Sequence, residues 1–342
     1  LPPSDAPRRK DEIPAGLALS SEGNRLYAVL NLSNRLAEMD AVSGKIFRLF
    51  DVGVAPYDVK VVGSKAYVSN WGGRRPMQNE LTGPAGRGTR VKVDPVRHIA
   101  SEGSVSVVDL DSGKVSAEIL TGLHASALAV SPDGRYIVCA NAASDNLSVI
   151  DTRSDTVVET IWVKQSPADI FGATPNALCF DKAGRRLYVA NGTQNAVAVI
   201  DFHPAGRESK LLGLIPVGWF PGAIVFDAFR DQLLVANIKN LPRDQDKDKQ
   251  SGGMGFNSHQ YYGSLSIVPV PKRGRDLARL SGIVWRNYRR EQIALAGRPS
   301  RPGQPPRPVP ERIGEPSVFK HVVYIIKENR TYDQVLGDEA RG

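Results

Sequence analysis

The chain of 342 residues is poor in the residues from which metal and redox sites are usually built: two cysteines, five histidines and three methionines. Cys139 and Cys179 fit neither a zinc-type spacing nor a disulfide framework. Each lies in an apolar run, YIVCAN and NALCF, and both read as buried free thiols. No run of about 18 apolar residues occurs, so no segment reads as a membrane-spanning helix. Acidic residues are outnumbered 36 to 44, giving a net charge of +8. That excess permits contact with anions. However, the basic residues are spread over loops, a helix and a linker with no nucleic-acid reading motif, so nucleic acid is not expected as a partner. A hydrophobic share of 41% is that of an ordinary globular chain.

What the chain has in quantity is one repeated unit. LALSSEGNRLYAVLN (17–31), VKVVGSKAYVSN (59–70), LAVSPDGRYIVCAN (128–141), LCFDKAGRRLYVAN (178–191) and IVFDAFRDQLLVAN (224–237) each give an apolar strand, a turn and a second strand closing on Asn31, Asn70, Asn141, Asn191 or Asn237. A third strand follows, as in NLSVID and AVAVID, closing on Asp40, Asp109, Asp151 and Asp201, with Pro269 in the fifth copy. A fourth follows in GKIFRLFDVG, GKVSAEILTG and DTVVETIWV. Alternation with period two, punctuated by Gly, Asp and Asn, is the mark of antiparallel hairpins. Four short strands per unit, repeated radially, predict an all-β fold, a β-propeller whose blades bury their faces against one another. The repeat asparagines read as structural caps at strand ends. YVAN at 188–191 and SPDG at 131–134 resemble the consensus of the YVTN-repeat β-propeller family over residues 14–270. That family typically has seven blades, so the resemblance implies two more upstream of Leu1, with residues 1–13 leading in from them.

The spacing from repeat Asn to repeat Asp is short except from Asn70 to Asp109, and from Asn237 to Pro269 it is again long. Both extra segments enter between second and third strands. A third, KQSPADIFGATPN (164–176), joins two blades. In an up-and-down blade these connections emerge on one face, the expected working surface. The first insertion, 71–98, carries Arg74, Arg75, Arg87, Arg90 and Arg97, a candidate anion or substrate face. The second, 243–263, ends in His259, Tyr261 and Tyr262, read as packing residues. The histidines at 98, 124, 203, 259 and 321 share no repeat position, which argues against axial metal ligands of the lactonase or quinoprotein type.

Past residue 270 the pattern changes. Leu277, Leu280, Val284 and Tyr288 fall at helical spacing in an exit segment, 271–297, with Asp276 as N-cap and Gly297 as stop. Trp285 and Tyr288 are expected to pack this helix onto the propeller. The proline density of 298–317 predicts an extended connector. Residues 318–342 then open a different domain: HVVYII (321–326) reads as a strand buried on both faces, followed by KENRTYDQVLGD. Glu328 and Asn329 are hard oxygen donors at the carboxyl end of that strand, suited to a divalent cation. The stretch resembles the opening of the phosphoesterase family of bacterial acid phosphatases and phospholipases C, relatives of the alkaline-phosphatase fold. The resemblance implies that Glu328 and Asn329 bind the catalytic divalent metal, and that the nucleophile and other ligands lie downstream. It further implies a phosphate-ester substrate and a secreted or periplasmic two-domain protein, with the propeller as scaffold or gate. The alternative is a propeller that only binds a protein, polysaccharide or nucleic-acid partner.

Overall fold

The computed structural model describes residues 1, 11–85, 89–165, 169, 172–239 and 262–326. The first sheet is β1 (Pro14–Leu19), β2 (Arg25–Leu30), β3 (Arg35–Asp40) and β4 (Ile46–Asp51), in that spatial order. The second begins with β5 (Pro56–Val62) and β6 (Lys65–Asn70). It is interrupted by a separate small hairpin, β7 (Thr82–Pro84) and β8 (Arg90–Lys92), and closes with β9 (Gly103–Asp109) and β10 (Lys114–Thr121). The third sheet is β11 (Ala125–Val130), β12 (Tyr136–Asn141), β13 (Asn146–Asp151) and β14 (Thr156–Trp162). The fourth is β15 (Pro175–Phe180), β16 (Arg186–Asn191), β17 (Ala196–Asp201) and β18 (Lys210–Pro216). The fifth has three strands among the described residues, β19 (Trp219–Asp227), β20 (Gln232–Lys239) and β21 (Ser264–Pro269). All neighbours within these five sheets are antiparallel. The inner strands β1, β5, β11, β15 and β19 pack on one another in succession. These are the blades of a β-propeller, as the repeats predict.

The core lies between blades rather than within them. Val29 and Leu36 of the first blade meet Val59, Val68 and Val108 of the second. Val105 and Val107 meet Leu128, Ile137 and Ile150 across the next junction. Leu147 and Val149 then meet Leu187, Val189 and Ile200. A sheet buried on both faces by its neighbours needs the near-continuous apolar strands seen in YIVCAN, all of whose residues are buried, each large one adding about 1.5–3 kcal/mol. Cys139 is buried and Cys179 partly so, and both are free thiols.

The repeat asparagines are structural, as expected. Asn70, Asn141, Asn191 and Asn237 are buried. In the second, third and fifth blades the side-chain amide donates to the third strand: Asn70 to Ser106 Oγ (2.9 Å), Asn141 to Ser148 Oγ (2.9 Å) and Asn237 to Ser266 Oγ (2.9 Å). The amide packs so tightly that the residue beside it must be glycine: a Cβ on Gly122 would lie 2.7 Å from Asn141 Cβ.

A second device joins consecutive blades and has no plain signature in the sequence. Asn34, Asp145 and Asn195 sit at the hairpin between second and third strands in the left-handed conformation, with φ of 56°, 53° and 49°. Each accepts hydrogen bonds from the chain entering the following blade. Ala55 N–H donates to Asn34 Oδ1 (2.8 Å) and Phe220 N–H to Asn195 Oδ1 (3.0 Å). Asp145 receives the N–H groups of Gly172 (2.9 Å), Ala173 (2.8 Å) and Thr174 (3.2 Å). The entering residues Ala55, His124, Thr174 and Phe220 are themselves left-handed, with φ between 50° and 54°.

The exit segment forms two helices, α1 (Gly274–Asn287) and α2 (Arg290–Ala296). The expected single helix capped by Asp276 is corrected in two ways. Arg273 occupies the N-cap and Asp276 lies in the first turn. The helix also breaks at Arg289, whose φ of 52° cannot continue it. α1 lies along β18, where Gly213 lets it approach and Ser281 Oγ receives Leu214 N–H at 2.8 Å. Trp285 and Tyr288 pack onto the core between the third and fourth blades, as predicted.

Residues 298–317 do not form the extended connector that their prolines suggest. Arg301 donates to Glu315 (2.7 Å) and Glu311 (2.9 Å), Arg307 donates to Glu311 (2.7 Å), and Val318 N–H returns to Arg307 O (3.2 Å). Ion pairs close the segment on itself, and Ile313 N–H ties it to the end of α2 through Ala296 O (2.9 Å). The predicted strand at 321–326 is likewise not a strand. Its apolar residues Val322 to Ile326 are 72–85% exposed. A strand exists only by pairing, and none of the described residues pairs with this one.

Candidate functional site

The hairpin β7–β8 places the first insertion over the face where the connections between second and third strands emerge. Its base is an ion-pair network. Arg74 donates to Glu80 (2.8 Å) and pairs with Glu102 (3.2 Å), and Lys92 pairs with Glu80 (3.3 Å) and Glu102. The Arg74 guanidinium, helped by Met77 N–H, holds the Glu80 carboxyl down to about 2. A depressed carboxylate stabilises the fold above its ordinary value, here 4.5, and this contribution fades as pH falls toward about 2. Amide-exchange protection at Arg90 and Lys92, corrected for intrinsic rates, should therefore fall across that window. In Glu80→Gln the loss should appear already at pH 7. Unchanged protection in the variant would remove the network from the account.

Of the five arginines predicted as an anion face, the four among the described residues are not gathered into one site. Arg74 is held by two carboxylates. Arg75 donates to Val52 O (2.7 Å) and pairs with Asp51 (3.1 Å). Arg90 bonds Thr82 Oγ1 (2.8 Å), and Arg87 lies outside the described residues. Arg97, loosely paired with Asp94 at 3.5 Å, lines a cavity. Glu328, Asn329, His259 and Tyr261 also lie outside the described residues. Among the described residues, no three His, Cys, Asp or Glu side chains come together as a metal site, and no helix is long and apolar enough to cross a membrane.

The cavity beside Arg97 holds about 700 Å³. Val91 and Val93 of the first insertion wall one side, and Trp162, at the end of β14, contributes an indole that is 37% exposed. His124, at the left-handed entrance to the third blade, lines it together with His98, Ser144 and Asn146. The His124 ring lies 4.7 Å from that of Trp71, which neighbours Tyr57 at 6.5 Å. Burial pushes the His124 pKa down, favouring the neutral imidazole. Sequence reasoning missed this constellation because its members come from an insertion, a blade entrance, a hairpin and the ends of β13 and β14, which no shared repeat position marks.

The fold and this face define a β-propeller with a loop-built cleft on one side. Residues 100–222 match a family model described as a lactonase, 7-bladed beta-propeller. Over 60 residues the chain is 40% identical to dihydro-heme d1 dehydrogenase of Pseudomonas aeruginosa, covering 18% of this chain and 12% of that protein. A solved protein of unknown function from Desulfotomaculum acetoxidans superposes with a TM-score of 0.50 at 14% identity, over 66% of this chain and 63% of that one. Hydrazine synthase of Kuenenia stuttgartiensis aligns with a TM-score of 0.42 at 16% identity, over 78% and 85% of the two chains. The chain thus spans only a small part of the curated relative it matches, and the likeness to the Desulfotomaculum acetoxidans protein is one of fold.

Proposed function

We propose that this chain is the propeller portion of a secreted or periplasmic two-domain phosphoesterase, in which a following domain hydrolyses a phosphate ester and the propeller serves as scaffold or substrate gate. The observation that carries the reading is the run at 321–326. Its apolar residues Val322 to Ile326 stand 72–85% exposed directly before KENRTYDQ. Five consecutive apolar side chains facing water are unfavourable by themselves; as the first strand of a sheet supplied by later residues they become a core element. Glu328 and Asn329 would then supply a carboxylate and an amide oxygen to a divalent cation, which polarises a phosphoryl oxygen. The 342 residues alone should be inactive, because the remaining ligands and the nucleophile are expected downstream.

The test is hydrolysis of p-nitrophenyl phosphate by the protein of the complete reading frame. Activity abolished by a chelator, restored by a divalent cation and lost in Glu328→Gln and Asn329→Ala is the expected result. Chelator-insensitive turnover, or none at all from the complete reading frame, overturns it. The second outcome leaves a non-catalytic binding propeller, a reading that the loop-built cleft also supports.

A further inference from the structure

The geometry points to the cleft between the β7–β8 hairpin and the third blade as a binding site for a small aromatic anion, an aryl carboxylate, sulfonate or phosphate. This goes beyond the phosphoesterase reading and does not depend on it, since every group concerned belongs to the propeller. The volume of about 700 Å³ is in the range of small-molecule sites, which combine apolar walls with a few convergent polar groups. Val91 and Val93 are buried and supply such a wall. Trp162 offers an indole with Lys164 Nζ 5.3 Å from its centroid.

The charge of the lining selects the sign of the ligand. Among the described lining residues Arg97 is the basic side chain and there is no carboxylate. Asp94, its acidic partner, takes the N–H groups of Arg97 (2.8 Å) and Val96 (3.0 Å) on Oδ1 and lies 3.5 Å from the Arg97 guanidinium through Oδ2. The Arg97 side chain is 64% exposed and keeps donors open to solvent at the rim, and the half-buried imidazole of His124 adds a hydrogen-bonding group. A cation meets repulsion here. An aliphatic anion leaves the indole uncovered, and a neutral aromatic gains no charge-assisted contact from Arg97.

The probe is 2-naphthalenesulfonate, titrated calorimetrically into the protein, with 2-naphthol and methanesulfonate as the neutral and ring-free controls. Saturable one-to-one binding is expected, at least about tenfold tighter than either control. Trp162→Ala should weaken it about tenfold and Arg97→Gln about fivefold, the latter without changing 2-naphthol binding. Trp162→Phe retains a ring and should bind within about threefold of the unaltered protein, and Trp219→Ala on the fifth blade should not alter binding. Should Trp162→Ala fail to fold, Arg97→Gln and the two controls decide the matter. Absent binding, equal binding of sulfonate and controls, or unchanged affinity in Arg97→Gln overturns the assignment.

Discussion

Asp145→Ala is expected to lower the unfolding free energy by about 3 kcal/mol. The carboxylate is buried and takes three backbone N–H groups from the segment entering the fourth blade. Removing it strands all three, and alanine also tolerates poorly the left-handed backbone at this position. Two companion variants separate those causes. Asp145→Gly frees the backbone but still removes the acceptor, so most of the loss should persist. Asp145→Asn keeps one acceptor and a left-handed preference, and should cost only about 1 kcal/mol. Urea unfolding measures all three. Because blades interact only with their neighbours, the weakened junction should also broaden the transition as the two sides unfold separately. A loss below about 1 kcal/mol in Asp145→Ala would show that the junction rests on apolar packing alone.

Gly122→Ala should cost about 2–3 kcal/mol by overpacking. The added methyl would meet Asn141 Cβ at 2.7 Å and its Cγ and Nδ2 at 2.8 Å. Asn141 cannot withdraw, because its amide is held by Asn146 Oδ1 and Ser148 Oγ at 2.8 and 2.9 Å inside a buried strand pair. Combining Gly122→Ala with Asn141→Gly, which removes the Cβ as well as the amide, tests the cause. If the collision is the source, the double variant costs clearly less than the sum of the two single ones. Strict additivity would place the strain elsewhere.

The propeller was legible because its information is local and repeated: period-two strands, turn residues at fixed offsets, and an asparagine that recurs in each unit. Features that depend on distant partners were not. The prolines of 298–317 suggest extension, yet Arg301 finds Glu311 and Glu315 and folds the segment. Residues 321–326 have every compositional mark of a buried strand and lack only a neighbour. The helix break at Arg289 gave no warning, since neither glycine nor proline marks it. The arginines of the first insertion looked like an anion face, but composition cannot reveal that Glu80 and Glu102 occupy Arg74. His124 was set aside because no other histidine shares its place in the repeat. Its backbone place is shared, however, by Ala55, Thr174 and Phe220.

Those four positions have the same left-handed backbone and four different side chains. The main chain does the joining there, through its own N–H groups where Ala55 and Phe220 donate. Side-chain identity is thereby uncoupled from folding at the residues that rim the inner strands. A propeller built this way has a set of interchangeable addresses on one surface. Chemistry can be written into any one of them, as an imidazole is at position 124, without rewriting the blade beneath.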